Sequence, residues 1–451
     1  MAINGYDRHS FGLKLNSLVF PAQPIRSIEH LFGREKELDR IYKALYAGGR
    51  NIFIYGDRGV GKSSLAATAA NRYQSADANY IDVACSSDAT LSAVVANIAY
   101  QAVKASRINK VSLKESISAD LKYLKADKIS EHTSHDLHTT IHTLLDAVEV
   151  LREVASLHSV KPVVVVDEFD RISSIEERSL FADLVKHLGD KNIGIKFIFT
   201  GVGKTLEGLL GAHPSAIRQF ETIELPKISW DARWEIVLSA LKEFSIKISR
   251  DIYIRIAAVS DGYPYYAHLI TEKLLWVLFD KVEVVYEVTW DDYYEALDNA
   301  IESISGELHR PYEAAINQRT DDYEEVLWST ADSEWFDRYL KDMYTSYEYI
   351  MKLIPNKVPL DYDKYSTRIR SLKNTSCGAI LVSENKPGLY SYREKILRGY
   401  VRMQAEAHGI QLIGDEPKGD KQFYRVPAKA INSKRYMSST PRGLHFGRNR
   451  K

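Results

Sequence analysis

The chain has 451 residues, 45% hydrophobic and 27% charged, which is too much material for one core and predicts about two or three folded domains. Its two cysteines, Cys85 and Cys377, are too few and too far apart for a disulfide framework or a zinc site. The formal net charge is zero but unevenly spread: residues 286–348 hold 17 acids and 4 bases, and residues 349–451 hold 21 bases and 8 acids. Such asymmetry points to an electrostatic partner for the basic part, either nucleic acid or the acidic stretch of this chain or of a neighbouring subunit.

Residues 1–28 read as an irregular arm with Gly, Pro and scattered polar residues. Its longest apolar run, Leu18-Val19-Phe20, falls far short of a signal-peptide core. No run of about 18 apolar residues follows, so no membrane span and a cytoplasmic setting are expected. Phe32-Gly33-Arg34-Glu35 leads into a helix with Leu38, Ile41 and Leu45 at helical spacing. Asn51 to Tyr55 is a short apolar run ended by Gly56, which predicts a buried strand feeding a Gly-rich loop. An Ala-rich helix follows over Ser63 to Tyr73, then a second strand over Asn79 to Val83. A helical region runs on to about His158, with a Lys- and Ser-rich insertion near residues 107–136. Pro162 to Val166 is a third strand, whose unbroken valines suit a sheet covered on both faces. Ile195 to Thr200 is the fourth strand and Ile223 to Leu225 the fifth. Strands separated by helices predict an α/β fold with a parallel, doubly wound sheet. After Pro226 the pattern is helical through about Leu278, broken at Asp261-Gly262-Tyr263-Pro264.

Gly56-Asp57-Arg58-Gly59-Val60-Gly61-Lys62-Ser63 fits G-x-x-x-x-G-K-[ST] in full, with the strand before it and the helix after it. The glycines let backbone N–H groups converge on phosphate oxygens, and the helix presents its positive N-terminal end. Lys62 adds a point charge at the outer phosphates of a nucleoside triphosphate, and the Ser63 hydroxyl can ligate Mg²⁺; Ser64 is placed in the same nucleotide site. The strand Val163 to Val166 ends in Asp167-Glu168. An acid there lies beside the phosphate loop in such sheets, so Asp167 is placed to hold Mg²⁺ and Glu168 to orient and deprotonate the attacking water. Asp170 and Arg171 follow closely, and either is also open to a structural role. Thr200 ends the fourth strand, where a hydroxyl either contacts the γ-phosphate or the lytic water or simply closes the strand. Arg218 precedes the last strand and is either an arginine finger for a neighbouring subunit or a solvated surface Arg.

Farther on, helices are expected from Glu325, over Tyr347 to Ile354 and over Asp363 to Asn374. In the last, Tyr365, Ile369 and Leu372 share one face, and Lys364, Arg368 and Ser371 the other. Ala379 to Ser383 and Leu389 to Tyr392 read as a hairpin around Asn385-Lys386-Pro387-Gly388, and Arg393 to Ala405 as a closing helix. Helices followed by a hairpin are the order of a winged helix, which binds DNA or docks protein. From Lys418 onward the chain holds ten bases and one acid, with Phe423, Tyr424, Tyr436 and Phe446 interspersed. Such a tail either tracks nucleic-acid backbones or serves as a solubilising, self-docking segment.

Together these motifs resemble the AAA+ and STAND ATPases, in the branch close to origin-recognition initiators and archaeal-type ATPases. The likeness spans residues 30–280 or so and, loosely, 320–405. It implies a P-loop NTPase sheet with a helical lid, followed by a helical, winged-helix C-terminal domain, with ATP and Mg²⁺ as cofactors. Phe32-Gly33-Arg34-Glu35-Lys36-Glu37-Leu38 looks like that branch's opening box, which implies that Phe32, Gly33 and Arg34 lie against the adenine. Gly262-Tyr263-Pro264 resembles the Gly-x-Pro of STAND lids, which implies that Pro264 packs near the base. The lid helix reads Tyr265-Tyr266-Ala267-His268-Leu269, without the Arg that many AAA+ proteins use as a second sensor. His268 is either its substitute or a satisfied helix histidine, and the departure leans toward the STAND type. The expected division is an arm at 1–28, an ATPase core at 29–226, a lid at 227–285, an acidic connector at 286–322, a winged-helix-like domain at 323–409 and a basic tail at 410–451. The expected activity is Mg²⁺-dependent ATP hydrolysis that governs homo-oligomer assembly and DNA engagement. The rival expectation is a STAND-type signalling or defence switch whose C-terminal region docks a protein.

Overall fold

The computed structural model describes residues 3, 5–105, 138–203, 218–304, 306–318, 322–383 and 386–412. The expected insertion near 107–136 and the basic tail from Lys418 lie outside these residues. The chain forms two compact units: Gln23–Pro226, and Met1–Ala22 together with Lys227–Lys451.

The arm is not irregular. Arg8–Asn16 forms helix α1, capped by Asp7, whose carboxylate accepts the Ser10 N–H at 2.7 Å. Within its own unit Phe11 stacks on Phe279 at 4.2 Å between ring centroids and meets Trp276 edge-on. Only Phe11 and Leu15 of this helix are buried. Its apolar signal is therefore too sparse to stand out in sequence, and tertiary packing supplies the stability.

In the unit of residues 23–226, α2 (Glu35–Tyr46) precedes β1 (Asn51–Tyr55). Then come α3 (Lys62–Tyr73), β2 (Ile81–Ala84), α4 (Leu91–Ala105), α5 (Leu144–Leu157), β3 (Val163–Asp167), α6 (Ile175–Asp190), β4 (Lys196–Gly201) and β5 (Phe220–Glu224). The strands form one parallel sheet in the order β2-β3-β4-β1-β5. Val163 to Val166 are almost wholly buried, as a strand covered on both faces requires. Phe53 stacks parallel to Phe199 across the β1–β4 pair at 5.9 Å, and Phe169, Phe181 and Phe220 close around them. Helix α3 packs on β3 and β4, with Leu65, Ala66, Ala69 and Ala70 fully buried. Its small side chains let it lie close to the sheet. This is the parallel α/β sheet that the alternation of strands and helices predicts. Its strand order sets β4 between the loop-bearing β1 and the acid-bearing β3.

The other unit continues from Lys227 with α7 (Trp230–Glu243), α8 (Arg250–Val259), α9 (Pro264–Phe279), α10 (Trp290–Ser303), α11 (Gly306–Ile316) and α12 (Tyr323–Ala331). Pro264 opens α9 at its first turn, where a missing N–H costs nothing. Then follow β6 (Arg338–Tyr339), α13 (Leu340–Leu353), α14 (Tyr362–Ser371), β7 (Leu381–Ser383), β8 (Leu389–Tyr392) and α15 (Leu397–Ala407). The three short strands form an antiparallel sheet in the order β6-β8-β7. Strand β6 has no counterpart in the sequence reading, and α13 starts seven residues before the expected Tyr347. Tyr365 and Ile369 on α14 and Leu372 just past its end are fully buried, as their spacing predicts. Its opposite face is less open than expected. Arg368 is held by both oxygens of Asp322 at 3.0 and 3.2 Å, and Ser371 bonds Tyr323. Among the described residues no helix is long and apolar enough to cross a membrane.

Candidate phosphate-binding and hydrolysis site

The loop between β1 and α3 takes its course from its glycines. Gly56 has φ +153°, and a Cβ there would stand 2.6 Å from the Leu225 carbonyl oxygen, so the turn out of β1 has no room for a side chain. Gly61 caps α3 in the left-handed region at φ +94°, and no side chain caps that helix end. The first N–H groups of α3 have no acceptor within the helix and no cap from Gly61, which is the end of a helix that a phosphate fits. Lys62 is 9% exposed, and its ammonium donates to the Gly56 and Asp57 carbonyls at 3.2 and 2.8 Å. Burial lowers its pKa, against the opposing pull of Asp170, Asp167 and Asp57. A desolvated cation curled over its own loop is therefore poised among carboxylates. Ser63 is half-buried in the same turn, Asp57 likewise in the loop, and Arg58 is exposed.

At the end of β3 the acids meet the neighbouring strand. The Thr200 hydroxyl, fully buried, donates to Asp167 Oδ1. The Glu168 N–H points at the same pair, 3.0 Å from Asp167 Oδ1 and 3.3 Å from Thr200 Oγ1. Glu168 itself sits in the left-handed region at φ +54°, a strained backbone for a residue with a side chain. Its carboxylate is about half exposed and accepts from Arg171 at 2.7 Å. Asp170 Oδ1 accepts the Val202 N–H at 2.7 Å and ties the turn after β3 to the one after β4. Cys85 lies next to these acids, and burial pushes its thiol up to about 12, so it is an inert packing residue.

The other expected site residues are dispersed. Arg34 does not present its charge to solvent. It is 4% exposed, and one guanidinium nitrogen donates to the Val60 carbonyl at 2.9 Å and the Pro226 carbonyl at 2.6 Å. Burial brings its pKa down to about 10. Phe32 is half-buried and Gly33 exposed beside it. The Ser64 hydroxyl accepts the Ile25 N–H at 3.1 Å, and Thr68 donates to the Ile25 carbonyl at 2.9 Å. These bonds strap the segment before α2 onto α3. Arg218 is exposed in the turn before β5. Pro264 and His268 belong to the other unit, where His268 is 2% exposed and its Nδ1 accepts the Phe20 N–H at 3.3 Å. Sequence reasoning misses the carbonyl ties of Arg34 and the Thr200–Asp167 bond. Both join residues far apart in the chain, and only the position of Thr200 at a strand end gives any warning of its bond.

Residues 30–198 match the AAA ATPase domain model. No curated protein sequence matches the chain significantly. Among solved structures, the Walker-type ATPase of Pyrococcus abyssi is similar at 15% identity and a TM-score of 0.47, covering 84% of this chain and 99% of that one. Cdc6p from Pyrobaculum aerophilum is similar at 15% identity and a TM-score of 0.44, covering 87% and 97%. The Aeropyrum pernix ORC1 protein, solved in complex with DNA, is similar at 12% identity and a TM-score of 0.40, covering 83% and 92%.

Proposed function

We propose that this chain is a Mg²⁺-dependent ATPase whose nucleotide state controls its assembly and its engagement of DNA. The observation that carries this reading is one constellation at the strand ends. Lys62 opens α3 at the end of the loop after β1, Asp167 ends β3 with Glu168 next to it, and Thr200 on the intervening β4 is bonded to both. In this reading the loop N–H groups and Lys62 bind the phosphates, and the Phe32 to Arg34 box serves the adenine. Ser63 and Asp167 hold the metal, whose charge offsets that of the phosphates when bound. Glu168 takes the proton of the attacking water. Thr200 holds Asp167 and the Glu168 backbone in place. Residues 29–226 are the catalytic core, 227–285 the lid, 286–322 a connector, 323–409 a winged-helix-like domain and 410–451 a basic tail.

Assembly is assigned to Arg218, whose exposure on the turn into the edge strand β5 suits a residue that reaches a neighbouring subunit. Mixing Arg218→Ala with Glu168→Gln subunits is expected to restore hydrolysis at interfaces where an intact Arg218 faces an intact Glu168. An oligomer and a rate indifferent to Arg218→Ala would move the finger elsewhere, with Arg171 the next candidate.

DNA engagement is assigned to α14, the β7–β8 hairpin and the tail. On α14 the exposed cations are Lys364 and Arg370, since Arg368 is taken by Asp322. Most of the affinity is therefore expected from the tail. Removing residues 418–451 deletes ten bases. Neutralising about five phosphates gives a log–log salt slope of about −4 to −5 on duplex DNA. Anisotropy at several salt concentrations should show weaker binding and a flatter slope for the truncated chain, with its ATPase rate kept. Equal affinities and slopes would favour the rival reading, a STAND-type switch whose C-terminal region docks a protein.

A further inference from the structure

Three charged residues of α15, Arg398, Arg402 and Glu406, recur every fourth position and therefore form one stripe along the helix. All three are buried to 2% exposure or less. The stripe meets a complementary one on the helices that follow Lys227. Asp261, in the turn before α9, accepts from Arg398 Nε at 2.8 Å and from Arg402 at 2.7 Å, and Lys227 reaches it at 3.0 Å. Farther along, four residues past Arg402 and six before Asp261, Arg255 of α8 donates to both oxygens of Glu406. Between these pairs the fit is steric. A Cβ on Gly399 would stand 2.5 Å from the Tyr266 ring, and the Tyr266 hydroxyl donates to the Ile396 carbonyl at 2.9 Å.

The same two arginines face a third element. Arg402 donates to the Ala331 and Ser333 carbonyls at 3.0 and 2.6 Å, and Arg398 to those of Trp335 and Glu334 at 2.8 and 3.0 Å. They close the end of α12 and the turn beyond it.

We infer that this charge register is a coupler: it binds α15 and the end of α12 to α8 and α9 as one moving body, with Asp261 as the joint. The seat of Gly399 against Tyr266 already restricts the register of α15. The charges allow one register, because a slide of one turn would set Glu406 against Asp261. Asp261 is the only acid that Arg398, Arg402 and Lys227 pair with among the described residues, so this end of the junction rests on one carboxylate. Any displacement of the Asp261 turn is thus passed to α12 and the short strands that follow it. The inference requires no nucleotide and stands or falls separately from the ATPase reading.

Hydrogen exchange on the full chain without nucleotide tests it. Asp261→Asn should speed exchange about tenfold or more in residues 331–336 and 397–402 and leave that of α3 unchanged. Unchanged exchange in both segments overturns the coupler. Should that variant not fold, a charge swap decides. Arg255→Glu and Glu406→Arg should each lower the melting temperature by about 5–15 °C, and the double variant should recover half or more of the loss. A double variant no more stable than the worse single one overturns the register.

Discussion

Lys62→Ala is expected to weaken nucleotide binding by about a hundredfold or more while the chain stays folded, the loss of roughly 3 kcal/mol of charge-assisted bonding to phosphate. The ammonium combines a full positive charge with burial beside Asp170, Asp167 and Asp57. Without ligand it spends its hydrogen bonds on the Gly56 and Asp57 carbonyls, so the substitution forfeits those two contacts and no others that shape the loop. The loop keeps its course because Gly56 remains pressed on Leu225 and Arg34 still holds the Val60 carbonyl. Titration with a fluorescent ATP analogue, beside thermal melting without nucleotide, separates the two effects. Unchanged affinity in a folded variant would sink the assignment of this loop to phosphate.

Glu168→Gln is expected to lower ATP hydrolysis by about two to four orders of magnitude and to leave ATP binding near the native level. The amide keeps the size of the side chain and still accepts from Arg171, but it cannot take a proton from water. The backbone at Glu168 is held by its N–H bonds to Asp167 and Thr200, and neither depends on the side chain. On the proposed reading Asp167 and Ser63 would still hold the metal, so an assembly that needs bound ATP should accumulate. Single-turnover hydrolysis and size-exclusion chromatography with ATP give the two readouts. Native turnover would place the water-activating role on another residue, with Asp170 nearest in the chain.

Much of the candidate site is local and therefore legible in the chain. Strand β1 spans Asn51–Tyr55 as expected, because an unbroken apolar run stopped by Gly56 has few other readings. Helix α3 begins at Lys62, one residue before the expected Ser63, and ends at Tyr73 as expected. The limits of β2 to β5 differ from expectation by one to three residues, since strand ends depend on which neighbour supplies the hydrogen bonds. Helix α1 is missed because two buried residues make no periodic signal, and its stability comes from Phe279 and Trp276, more than 250 positions away.

What the sequence by itself determined is the chemistry that must be contiguous: a Gly-rich loop ending in Lys62-Ser63, and a valine strand ending in Asp167-Glu168. A phosphate cradle needs consecutive N–H groups, and a strand end delivers neighbouring acids, so both leave a pattern in order and spacing. Only the tertiary structure decided which charges pair. Arg34 bonds a carbonyl 192 residues away, Arg398 an acid 137 residues away, and Arg368 turns from an open face to Asp322. A buried charge takes whatever partner folding brings within about 3 Å, because leaving it unpaired costs several kcal/mol, and no local pattern records that partner in advance.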